Sequence, residues 1–190
     1  MSLLSLTGSD GLGKGFRPME RPDSIRMNIE GLTLDPATKT PIVVLRDGEG
    51  KFSLPIWIGL LEATSIATEL ESVDTDRPMT HDILRSCVDE LGARVAAVEV
   101  SDLRDNTFYA TIFLERAGAE VSIDARPSDA IALALRAGCP IFVAKKVLEQ
   151  SSVLQTSGES ARDENLSDRS PEQRSEILER MTPDDFKYKM

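Results

Sequence analysis

The apolar pattern of the first half of the chain returns, in phase and without a gap, 69 positions further on. The shift lays Ile29, Glu30 and Leu34 on Val98, Glu99 and Leu103, then Val43, Val44 and Leu45 on Ile112, Phe113 and Leu114, and Phe52 and Leu54 on Val121 and Ile123. Leu60, Ala63 and Ile66 fall on Asp129, Ala132 and Leu135. Each half therefore has to supply the same kinds of element in the same order. Residues 25–34 and 52–58 alternate apolar with polar, 42–45 is a short β-branched run, and Asp47-Gly48-Glu49-Gly50 is turn chemistry. Leu60, Ala63, Ile66, Ala67 and Leu70 then follow helical spacing. The unit reads β-β-β-α, and two copies of it point to an internal duplication. The competing explanation is that strands everywhere alternate.

The predicted fold class is α+β, a mixed β-sheet packed with helices. Between the halves, a helix is expected with Thr80 as its cap, Ile83, Leu84, Cys87, Val88 and Leu91 on one face, and Gly92 as its stop. The helix over 127–136 is apolar nearly all round, which predicts burial, and Gly138 closes it. A last strand over 140–144 and a short helix to Gln150 complete the domain.

A chain of 190 residues has room for one ordinary domain plus extensions. Residues 1–23, rich in Gly, Ser and Pro, read as a disordered arm, 24–150 as the domain, 151–169 as a polar linker, and 170–190 as a helical tail opened by Ser170-Pro171. No apolar run approaches the roughly 20 residues that cross a bilayer. The N-terminus lacks the basic segment of a secretory signal, and the two cysteines read as reduced thiols, so a cytoplasmic protein is expected.

Charge narrows the function. Residues 23–150 carry 13 Lys/Arg against 21 Asp/Glu, which argues against a broad basic groove binding nucleic acid by counterion release. Phosphate-loop, dinucleotide, C-x-x-C and H-E-x-x-H signatures are all absent. With His81 as the single histidine, a paired histidine mechanism is excluded, and carboxylates or a metal have to carry any catalysis.

The strongest candidate segment is Asp124-Ala125-Arg126-Pro127-Ser128-Asp129, at a strand end and helix start. Asp124 and Asp129 can converge on a divalent cation there, while backbone N–H groups, Ser128 and Arg126 hold phosphate. The bland alternative is capping by Ser128 and Asp129, with Arg126 in a structural ion pair. Arg77-Pro78-Met79-Thr80-His81-Asp82 repeats the theme, with Arg77 for phosphate and His81 and Asp82 as acid–base groups or ligands, against a plain first-turn role. Asp105, in the turn after Asp102-Leu103-Arg104, is a further metal candidate or simply a turn former. Glu62 and Glu69, two turns apart, are too far apart to share one ion. Trp57 reads as a core or interface anchor.

Four blocks together, Leu34-Asp35-Pro36 with Pro41-Ile42-Val43, Leu54-Pro55-Ile56-Trp57-Ile58-Gly59, residues 77–82, and residues 124–134, resemble the bacterial bifunctional nuclease family. The resemblance spans essentially the whole of residues 25–150, and the blocks occur in order at fitting distances. It implies cleavage of both DNA and RNA, a mixed-sheet α+β fold and self-association into a homo-oligomer. It brings no settled catalytic set. On chemistry, the first expectation is a phosphodiesterase in which Asp124, Asp129 and Asp82 or Asp105 hold Mg2+ or Mn2+. Arg126 and Arg77 orient the phosphodiester and His81 protonates the leaving oxygen. The second is a non-catalytic regulatory module that binds a protein or small ligand.

Overall fold

Strands dominate the order of elements, because most of the domain alternates with period two. A computed structural model describes residues 21–151; most of the expected arm, and the linker and tail from residue 152 onward, lie outside the described residues. The chain runs β1 (Ser24–Leu34), β2 (Pro41–Asp47), β3 (Ser53–Trp57), α1 (Leu60–Leu70), α2 (Thr80–Glu90), β4 (Ala93–Arg104), β5 (Thr107–Arg116), β6 (Ala119–Ala125), α3 (Pro127–Ala137) and β7 (Ile141–Ala144). A last helix, α4, covers 145–151.

All seven strands form one sheet in the order β3-β2-β1-β7-β4-β5-β6. Two antiparallel meanders therefore lie in mirrored order on either side of β7, which runs antiparallel to β1 and parallel to β4. The mixed α+β class expected from the pattern is present. So is the expected spacing of elements, with β1-β2-β3-α1 on one side and β4-β5-β6-α3 on the other, and α2 inserted between them.

Period-two alternation sends Val98, Ile112, Ile141 and Val143 to one face, where they join Met27, Val43, Leu45, Leu54, Ile56 and Ile66 in the main core. Burying side chains of this size contributes about 1.5–3 kcal/mol each. Ala97, Phe113 and Phe142, the alternate residues of the same strands, form a small separate cluster, and the Arg21 guanidinium lies 3.3 Å over the Phe113 ring.

Helix α3 is the hub of the helical layer, touching α1, α2, β4 and β5. Its near-continuous apolar sequence explains why, and from Ala130 to Ala134 every residue is buried. Pro127 opens it, and Gly138 ends it in the left-handed region at φ 62°. Helix α2 departs from expectation. Of its apolar face only Val88 is buried, while Ile83, Leu84 and Leu91 are exposed. It is held instead by polar contacts at its start, where the cap is Met79 and the Asp82 carboxylate accepts the Met79 N–H at 2.7 Å. Thr80 is thus the first helical residue and not the cap.

The helix junction as candidate functional site

Three helix starts bring the chemistry together. Glu62 lies in the first turn of α1, His81 and Asp82 in that of α2, and Asp129 in that of α3. The core packing of α1 and α3 sets their spacing, and α2 packs on α3 and reaches α1 through the Ser65–His81 contact.

A continuous polar chain links them. Ser65, buried on α1, meets His81 Nδ1 with its Oγ at 2.9 Å. On the other side of the ring, Nε2 stands 3.4 Å from Asp129 Oδ1. Arg126 grips the same carboxylate with two bonds, Nε to Oδ2 at 2.7 Å and Nη2 to Oδ1 at 3.2 Å. Its remaining nitrogen, Nη1, reaches Glu62 Oε1 at 2.8 Å. The order is Ser65, His81, Asp129, Arg126, Glu62, and each link is a direct contact. The hydrogen bond to Asp129, its charge and that of Glu62 hold the Arg126 pKa above its ordinary value, so Arg126 is a permanent cation.

The imidazole is held at both nitrogens but not equally. The Ser65 contact has ordinary hydrogen-bond length, whereas 3.4 Å to Asp129 exceeds the usual 2.7–3.2 Å. Nε2 is therefore only loosely committed to Asp129. It is the ring nitrogen with the weaker hold, and 14% of the side-chain surface is open.

Beneath this chain lies a second one. Arg136, whose side chain is 3% exposed, donates from Nε to Asp82 Oδ1 at 2.6 Å. It also donates to the Ala132 carbonyl at 3.0 Å and the Ser65 carbonyl at 3.2 Å. Burial works against ionisation of Asp82, but the Met79 N–H and the Arg136 guanidinium outweigh it and hold the carboxyl below the usual range. Asp82 is thereby a tether between α2 and α3.

The remaining expected residues stand apart. Asp105 and Asn106 form the tip of the β4–β5 hairpin, both with positive φ, 48° and 59°. Two such residues in a two-residue connection are the chemistry of a tight hairpin, which short polar side chains tolerate. Asp124 is exposed on β6 opposite Thr111, within the field of Arg104. Ser128 is buried in the first turn of α3, whose cap position is taken by Arg126. Arg77 is exposed in the loop before α2 and pairs with no acid among the described residues. The expected gathering of Asp105, Asp124 and Asp129 around one cation does not form. Among the described residues no three His, Cys, Asp or Glu side chains group so as to hold a metal ion. Asp129 and Glu62 are engaged by Arg126, and Asp82 by Arg136 and a backbone N–H, so this donor set does not fit Mg2+ or Mn2+.

Sequence reasoning singled out His81, Asp82, Asp129 and Arg126 but missed Ser65 and Arg136. Arg136 carried a signal: a lone guanidinium in a helix otherwise built for burial requires a buried acid. Ser65 carried none, since a serine on an amphipathic helix has many ordinary places.

Residues 43–156 match the bifunctional nuclease domain model, well over half of the chain. This chain belongs to the bifunctional nuclease domain family. An uncharacterised protein of Mycobacterium tuberculosis is 38% identical over 163 residues, covering 85% of this chain and 97% of that one. Bifunctional nuclease 1 of Arabidopsis thaliana is 31% identical over 144 residues, 73% of this chain and 44% of its own length. Bifunctional nuclease 2 of rice, Oryza sativa subsp. japonica, is 26% identical over 141 residues, 72% and 43% respectively. The chain thus spans less than half of the plant relatives it matches. The helix junction lies wholly within the matched domain. Among the described residues no helix is long and apolar enough to cross a membrane.

Proposed function

We propose that this member of the bifunctional nuclease domain family hydrolyses phosphodiester bonds in DNA and RNA at the junction of α1, α2 and α3. The observation that carries the reading is the unbroken chain Ser65, His81, Asp129, Arg126. It joins a proton carrier to a fixed cation, the two things a phosphoryl centre needs.

Arg126 takes non-bridging oxygens of the phosphodiester, to which a planar guanidinium is matched in shape and charge. Asp129 holds the guanidinium by its Nε edge and places the imidazole beside it. With Ser65 fixing Nδ1, His81 in its protonated form delivers the Nε2 proton to the leaving oxygen as the P–O bond breaks. Water supplies the incoming oxygen, and the proton it sheds on forming the new P–O bond passes to solvent, from which His81 is reprotonated. Asp82 and Arg136 act through position alone, keeping α2 and hence His81 in place. No step is routed through a divalent ion, because the carboxylates are engaged by arginine.

The domain is acidic, so binding rests on a few placed cations, with exposed Arg77 near the start of α2 as a second phosphate contact. Affinity should therefore be modest and fall with salt. The test is incubation of purified protein with labelled single-stranded RNA and DNA, with and without EDTA, across a sizing column. Cleavage of both that follows the protein peak supports the reading. No cleavage of either at micromolar protein removes it and favours a non-catalytic binding module.

A further inference from the structure

The five N–H groups of Arg126 are shared unevenly, and the uneven part is set by a glycine. Asp129 takes the Nε/Nη2 edge with two bonds, while Glu62 holds the guanidinium by a single contact to Nη1. Glu62 reaches that position because Gly59, one residue before α1, has no side chain. A Cβ on Gly59 would run into Oε2 of the Glu62 carboxylate, with its Cδ only 3.1 Å away, while Oε1, the oxygen on Arg126, would lie 3.6 Å off. Gly59 has φ −71° and ψ 160°, a conformation any residue adopts, so nothing in the backbone demands glycine here. The missing Cβ serves to seat the Glu62 carboxylate.

We infer that Glu62, seated in the notch left by Gly59, is an internal competitor that occupies the anion-binding edge of Arg126 and sets how tightly a phosphate group binds there. The inference rests on the proposed role of Arg126 as the phosphate ligand. An oxyanion approaching the guanidinium through Nη1 and Nη2 finds Nη1 taken and a like charge beside it. It has to displace one carboxylate, and the singly bonded Glu62 leaves before the doubly bonded Asp129. Asp129 stays to hold the guanidinium and His81 together, so the two acids on Arg126 have different work. Glu62 is a specificity-determining residue, one that weakens capture of any small anion and favours substrates with enough further contacts to offset its loss.

The experiment is titration of the full chain with inorganic phosphate, and with a fluorescein-labelled single-stranded oligonucleotide in EDTA, for four proteins. These are wild type, Glu62→Gln, Gly59→Ala and the double variant Glu62→Gln/Arg126→Ala. An ion pair this exposed on the arginine side implies a gain of roughly two- to fivefold in affinity for Glu62→Gln. Gly59→Ala should show a gain in the same direction but smaller, since its methyl pushes on Oε2 and loosens the seat of the carboxylate without removing its charge. In the Arg126→Ala background the Glu62→Gln gain should vanish. Unchanged or weaker phosphate binding by Glu62→Gln overturns the inference, as does a gain that persists without Arg126. Because these titrations read affinity and not cleavage, tighter binding by both single variants of a protein that cuts neither RNA nor DNA supports the inference while overturning the nuclease reading.

Discussion

Arg136 and Asp82, on the last turn of one helix and the first turn of another, are joined by a 2.6 Å bond from Nε to Oδ1, and the arginine side chain is almost wholly buried. This one contact explains how α2 stays in place although most of its apolar face looks outward. It also explains why His81, the next residue along, is held at a fixed height against Ser65 and Asp129.

Removing the acid leaves the buried cation, among the described residues, with only the more distant Glu69, 3.9 Å away, as a charged partner. Asp82→Ala should destabilise the domain by about 2–3 kcal/mol, below the full penalty of a broken buried pair because Asp82 itself is one-third exposed. Adding Arg136→Met to that variant should recover part of the loss, since an apolar side chain of similar size needs no partner. Urea denaturation of the two single variants and the double variant reads the coupling.

Stability should also record Asp82 in its pH dependence. The folded-state pKa is held below the ordinary carboxyl value, so the unfolded chain binds the proton more readily. The stabilisation is then fully present above about pH 4, the unfolded value, and disappears as pH falls through the lower folded value. Asp82→Asn removes this dependence. Denaturation curves of both proteins between pH 2 and 6, roughly the range in which carboxyl groups titrate, should converge at the acid end.

Arg126→Lys keeps the charge but loses the planar fork, so it cannot hold Asp129 by two bonds and an oxyanion as well. We expect a KM for oligonucleotide raised roughly tenfold, about 1.4 kcal/mol of lost binding. Melting should change little, because the arginine side chain is largely exposed. Steady-state kinetics beside a thermal melt checks both.

The hairpin and strand acids should be silent in catalysis. Asp124→Asn and Asp105→Asn are expected to retain wild-type cleavage rates, since one is exposed on β6 and the other shapes a turn. Asp105→Val should instead cost about 1–2 kcal/mol of stability, because a β-branched residue resists φ 48°. Rates and melts of the three variants separate turn formation from chemistry.

Much of the fold was legible because strands and helices announce themselves by period. The strand read over 25–34 is β1, its image 69 positions on falls within β4, and Gly138 marked the end of α3 as expected. The site was legible only in pieces. His81, Asp129 and Arg126 stood out singly for their chemistry, but their partnership depends on how α2 packs on α3, which no local pattern encodes. The same holds for the three acids expected to share a cation, which do not group among the described residues. Asp105, Asp124 and Asp129 share a residue type and lie near element ends, yet two are taken by turn geometry and strand exposure, and the third by arginine. Ser65 was hidden because a serine on an amphipathic helix reads as a solvated position, and Arg136 signalled the need for an acid without saying which one would meet it.

The central claim is that His81 moves the proton, and kcat for His81→Asn measured beside its melting temperature tests it most directly. The account predicts a loss of about 10²- to 10⁴-fold in cleavage of RNA and DNA alike, with melting within a few degrees of wild type. Undiminished cleavage by a folded His81→Asn protein contradicts it.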